Sequence, residues 1–150
     1  MATDNVKFVK TWFEEVWNKG RLSAVDEMMA DTAVMHGLGE AGADVSGPVG
    51  FKPFVERLRG AFSNIDITIE ETIEQGDLIA SRWVANMTHT GDDLGVAATG
   101  RDVTVTGMSI ARLRDGKMVE GWNNWDMLSL MQQIDAFRTP ATLMPAHSLS

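Results

Sequence analysis

The sequence predicts an α+β domain in which three N-terminal helices are followed by a curved antiparallel or mixed sheet. That sheet would wrap around the helices and leave an apolar pocket on its concave face. Three observations predict this. Apolar residues recur at helical spacing as far as Phe62, the period falls to two from Ile65 onward, and short turn signals separate the segments after that change.

The first helix is read from two adjacent rows, Phe8, Trp12 and Val16 beside Val9, Phe13 and Trp17, which form a broad apolar stripe. Asp4 is placed to cap it and Gly20 to stop it. Ser23-Ala24-Val25-Asp26 fits a capping box opening a second helix through about Ala30. Thr32 to His36 reads as a short strand. Residues 37–50 hold five glycines and one proline and read as a loop. A third helix follows, with Pro53 in its first turn and Phe51, Phe54, Val55, Leu58 and Phe62 on its inner face.

Ile65, Ile67, Ile69 and Ile73 then alternate with polar residues, the pattern of a strand with one buried face. Gln75-Gly76-Asp77 turns the chain into a long strand over Leu78 to Thr90. After a loop over residues 91–100 comes a strand from Val103 to Leu113. Asp115-Gly116 is a strong hairpin signal leading into a last strand that ends at Asp126. Met127 to Ile134 has a short helical pattern. A single domain over residues 1–138 with a loosely ordered tail over 139–150 accounts for the whole pattern.

Composition narrows the function. The chain has 150 residues, enough for one substantial core, and 44% of them are apolar. Twenty-one acids against thirteen bases give a net charge of −8, which argues against nucleic acid or an anionic membrane as partner. There is no cysteine, hence no thiolate ligand and no cysteine nucleophile. The N-terminus lacks the apolar core of a signal peptide and no run reaches the length of a membrane span, so a soluble cytoplasmic protein is expected. The three histidines, His36, His89 and His147, are far apart with no ligand spacing, so no metal is expected.

The segment over residues 116–133 carries the most chemistry. Asp126 ends the last strand behind Trp122, Asn123, Asn124 and Trp125, and a carboxylate desolvated by large rings is pushed toward the range useful for proton transfer. Alternation along a strand groups Trp122 and Asn124 with Asp126, which selects Trp122 over Trp125 as the cavity residue. Asp126 could equally cap the helix that follows it. His89, between two threonines, and His36 are candidate hydrogen-bonding or acid/base groups, with a backbone-bonded or buried structural histidine as the alternative. Arg82 in an apolar strand reads either as an ion-pair partner of Asp126 or as a ligand-orienting donor. Ten methionines and five tryptophans suit pliable cavity walls.

Taken in order, several short pieces resemble the SnoaL-like polyketide cyclases of the nuclear transport factor 2-like superfamily. They include Phe13 to Gly20 (FEEVWNKG), Glu74-Gln75-Gly76-Asp77, Thr88-His89-Thr90-Gly91, Thr99-Gly100-Arg101, Val103 to Gly107 (VTVTG), Arg114-Asp115-Gly116-Lys117 and Trp125-Asp126 with Gln132-Gln133. The likeness extends from about Val6 to Ile134. It implies a cone-shaped fold, a dimer or higher oligomer, and a hydrophobic ligand held without cofactor or metal. It also implies intramolecular aldol ring closure of a polyketide-like carbonyl compound, with Asp126 as general acid/base and His89 and His36 at the pocket; the reading of the residues themselves adds Arg82, Trp122 and Asn124 as substrate contacts.

Limonene-type epoxide hydrolysis is the enzymatic alternative on the same fold. Arg82 suits it, but Val84 stands where that family has an aspartate, and Asn123 or Asn124 where it has the second. Steroid isomerase chemistry would need a tyrosine, and the chain has none. A non-enzymatic carrier of a hydrophobic ligand is the third reading.

Overall fold

A computed structural model of the protein describes residues 2–137; the expected tail and His147 lie outside the described residues. The helices are α1 (Asp4–Trp12), α2 (Ser23–Met28), α3 (Gly47–Ala61) and α4 (Met127–Gln133). The strands are β1 (Met29–His36), β2 (Val45–Ser46), β3 (Phe62–Gln75), β4 (Leu78–His89), β5 (Asp102–Arg114) and β6 (Lys117–Trp125). They form one sheet in the order β2-β1-β6-β5-β4-β3. All neighbours are antiparallel except β1 and β6, which run parallel. The two edges, β2 and β3, do not pair, so the sheet curls round the helices without closing. Among the described residues no helix is long and apolar enough to cross a membrane.

Local chemistry explains where the helices depart from expectation. Thr3, not Asp4, caps α1, its hydroxyl accepting the Val6 N–H at 3.2 Å. Ser23 caps nothing; Leu22 occupies the cap position, and Ser23 Oγ accepts from Arg21 Nη1 instead. α3 begins at Gly47, so Pro53 lies inside it, beyond the first turn.

The first helical stretch also changes hand-hold after Trp12. Residues Phe13–Asn18 form a π-helical turn, with Lys19 N–H donating to Glu14 O at 2.9 Å. Asn18 pins that turn to the sheet by pairing with one residue's backbone. Its Nδ2 donates to Ile67 O at 3.1 Å, and its Oδ1 accepts the Ile67 N–H at 2.7 Å. Arg59 of α3 donates to Trp17 O from the other side. Trp17 is thereby set edge-on to Phe51 and Phe54, with ring centroids 6.1 and 5.8 Å away. This aromatic cluster roofs the concave face.

The hairpins behave as their turn residues dictate. Asp115 and Gly116 both have positive φ, 52° and 76°, as a type I′ turn demands. β4 and β5 pair without a bulge from Leu78↔Arg112 to Thr88↔Asp102. Inward residues on these strands therefore stand in straight rows across the sheet. α4 closes the end of the sheet beside β5 by burying Leu130 and Ile134 completely.

Candidate functional site

The helices and the concave face enclose an apolar cavity of ≈ 80 Å³. That is room for about five water-sized groups. Trp12, Trp17, Phe51 and Phe54 form its roof, and Trp83 and Trp125 part of its floor. A smaller cavity of ≈ 30 Å³ adjoins it under α1, sharing Trp12, Phe13, Met35, Ser109 and Asn123 as walls.

Within this apolar lining the sheet places one polar row. Ser81 on β4 pairs with Ser109 on β5, and Ser109 pairs with Asn123 on β6. Ser109 and Asn123 line both cavities, and Ser81 lines the smaller one. Neighbouring strands lie about 5 Å apart, so the row spans about 10 Å. Ser109 Oγ accepts the Trp83 Nε1–H at 3.1 Å, which leaves its own hydroxyl proton to donate. Asn123 Nδ2 spends one proton on His36 O at 3.2 Å and keeps a second, together with its carbonyl oxygen. Ser81 Oγ is buried and has no hydrogen-bond partner among the described residues. Gly107 makes the arrangement possible: a Cβ there would lie 2.2 Å from Trp83 Cζ2. Only glycine lets the indole lie across β5 and reach Ser109.

None of the six residues singled out from the sequence lines either cavity. Asp126 is exposed and caps α4, its Oδ1 accepting the Ser129 N–H at 3.0 Å. It shares an outer-face groove with Arg82 and Asn124. The expectation of an acid inside the chamber is thus corrected, and with it the choice of Trp122. Trp125 and Asn123 face inward, while Trp122 and Asn124 lie on the convex side. Arg82 does not pair with Asp126; its partners are Glu70 and Glu71, each at 3.4 Å.

The two histidines are placed differently again. His89 is completely buried at the end of β4, against Phe62. The Thr99 N–H donates to its Nδ1 at 3.2 Å, which puts the proton on Nε2, and Nε2 has no partner among the described residues. His36 lies on the outer rim, stacked on Trp122 with centroids 5.5 Å apart. Its Nε2 and Nδ1 each meet a carboxylate at 2.8 Å, from Glu120 and Asp44 respectively. Those two hydrogen bonds, Glu120's first, raise its pKa above the ordinary imidazole value.

Sequence reasoning passed over Ser109 and Ser81 and ranked Asn123 behind Asn124. One signal was available: Gly107 and Gly121 each interrupt a strand. A mid-strand glycine marks close approach on the face it shares with residues two away. Counting from those glycines gives Ser109 and Asn123.

A cavity inside a curved sheet, with a few hydrogen-bonding groups set in an aromatic lining, is the kind of arrangement in which small-molecule sites are built. The family model of the SnoaL-like polyketide cyclases matches residues 7–134, and the chain belongs to that family. Among solved structures it is similar to IdmH of Streptomyces antibioticus, a candidate polyketide cyclase. The identity is 28% and the TM-score 0.77, over 89% of this chain and 99% of that one. A candidate SnoaL-like polyketide cyclase from Jannaschia sp. CCS1 shares the fold at 24% identity and TM-score 0.79, over 89% and 93% of the two chains. So does AclR of Streptomyces galilaeus, a candidate hydroxylase, at 23% identity and TM-score 0.76, over 91% and 89%. No functionally curated protein matches the sequence.

Proposed function

We propose that the chain takes a small, mostly apolar carbonyl compound into the cone and holds it in the folded shape that ring closure requires. Ser109 and Asn123 hydrogen-bond the carbonyl oxygen. One observation carries this reading: among the described residues, the only non-aromatic polar side chains lining the larger cavity, Ser109 and Asn123, are neighbours on adjacent strands. A buried polar pair of that kind favours an oxygen-bearing ligand over a hydrocarbon, because it is left unpaired otherwise.

The chemistry fits an aldol closure that is neutral overall. The enol carbon of the substrate attacks its own ketone, the new C–C bond forms, and the enol proton passes to the product alkoxide. Ser109 can relay that proton, since its oxygen already accepts from Trp83 while its hydroxyl donates. Donors aimed at the developing alkoxide stabilise it. Confinement of the chain supplies the orientation.

Four tryptophans line the cavity, so quenching of intrinsic fluorescence reports binding. Cyclohexanone and its isostere methylenecyclohexane differ by one oxygen. Ser109→Ala should weaken cyclohexanone by roughly five- to tenfold, the worth of one hydrogen bond, and leave methylenecyclohexane unchanged. Equal losses for both would overturn the reading. A second reading, binding without catalysis, is favoured because no carboxylate or imidazole stands among the described residues that line the cavities. Ring closure of 2,6-heptanedione, followed by NMR with and without protein, separates the two.

A further inference from the structure

We infer that His36 is a positioning residue for the carbonyl site: a clasp, closed when its ring is charged, that fixes the amide of Asn123 and the pocket wall at Leu38. This rests on the functional reading above and adds the control of that site.

The clasp is built from three elements. The ring of His36, the last residue of β1, bonds Asp44 in the loop before β2 at 2.8 Å and Glu120 on β6 at 2.8 Å. Trp122 stacks on its face. Behind Glu120 stands Arg112 of β5, whose Nη1 donates to Glu120 Oε1 at 3.0 Å and whose guanidinium lies 5.4 Å from the Trp122 ring centroid. Arg112 in turn meets Asp77 at 3.6 Å, which also lies 4.0 Å from Arg114. The His36 ring thus joins two carboxylates, one from a loop and one from the sheet.

The link to the pocket is direct. The carbonyl of His36 accepts from Asn123 Nδ2 at 3.2 Å and thereby decides which end of the amide turns toward the cavity. Gly37 follows with φ +85° and so close to β6 that a Cβ would lie 2.2 Å from Asn123 O. Leu38, next in line, is a wall of the larger cavity. A segment so tightly laid against Asn123 moves with the loop that Asp44 anchors.

A protonated imidazole donates to both carboxylates; a neutral one donates to a single carboxylate and turns a lone pair toward the other. One arm must then open. Because the folded-state value is raised, the charged clasp prevails below it and is lost as pH rises through it.

Two measurements test this. Cyclohexanone and methylenecyclohexane are titrated from about pH 5 to about pH 9, a range that spans any plausible imidazole transition. The ketone should weaken by roughly two- to tenfold across the transition, one hydrogen bond's worth, while the hydrocarbon stays level. His36→Gln should abolish the step, and Glu120→Gln should move it to lower pH. Independently of any ligand, the side-chain amide resonances of Asn123 should titrate with the midpoint of the His36 ring. A level ketone profile, a step that survives in His36→Gln, or Asn123 resonances that ignore the His36 midpoint would each overturn the clasp. Loss of the ketone preference at every pH would instead sink the carbonyl reading itself, leaving the resonance titration to judge the coupling.

Discussion

Asp126→Ala removes the side chain that accepts the Ser129 N–H at the start of α4. That helix is only seven residues long, and it buries Leu130 and Ile134 completely against the end of the sheet. Loss of such a cap costs about 1 kcal/mol. For a chain of this length that corresponds to a fall in Tm of about 2–4 °C. Asp126→Asn keeps a capping oxygen and gives up only the charge at the helix N-terminus, so its Tm should fall by about 1 °C or less. Both variants should bind cyclohexanone as the wild type does, because Asp126 is exposed and lines neither cavity. The assay pairs a thermal melt with the fluorescence titration. A tenfold loss of ketone affinity or of ring closure in Asp126→Asn, with Tm unchanged, would show that the carboxylate reaches the ligand and would refute the placement.

Three further predictions follow from the site. Asn123→Asp puts a carboxylate where the cavity has none. Desolvation should raise its pKa toward neutrality and provide a general base, accelerating closure of 2,6-heptanedione by about 10²-fold or more; a folded variant with no gain would argue against Asn123 facing the substrate. Ser81→Ala removes a buried hydroxyl that has no partner, so the melting temperature should stay level or rise; a clear fall would mean that the hydroxyl is satisfied after all. The stability contributed by His36 should be complete below the unfolded imidazole value of about 6.5 and lost as pH rises through the raised folded value. A Tm difference between wild type and His36→Gln that does not shrink over that interval would contradict it.

Most of the architecture was readable because it rests on periodicity and turn chemistry, both local. Ile65, Ile67 and Ile69 of β3 and the Asp115-Gly116 turn follow from rules that need no tertiary information, whereas Ile73, beyond the register shift after Ile69, is exposed rather than on the buried face. Expectation failed where partners distant in sequence decide the outcome. The π-helical turn at Phe13–Asn18 is held by Ile67 and Arg59, neither of which local propensity can see. The start of α3 at Gly47 was hidden by the glycines around it, which read as loop.

The failure at the site has a sharper cause. A strand has period two, so an origin misplaced by one residue sends every side chain to the wrong face. Asp126 is a false origin, because β6 ends at Trp125. It is the N-cap of α4, its φ of −81° and ψ of 70° lie outside the extended region, and the alternation stops at Trp125. Measured from Gly121, whose missing side chain makes room for Met35, the same strand presents Asn123 and Trp125 to the cavity. The change of origin also changes the chemistry. A chamber holding a buried acid would move protons itself; one holding a serine hydroxyl and a carboxamide can bind, orient and relay them. On the proposed reading, with no carboxylate or imidazole among the described residues that line the cavity, ring closure draws its acidity from the substrate, and compounds whose carbonyls already enolise readily are the ones to try first.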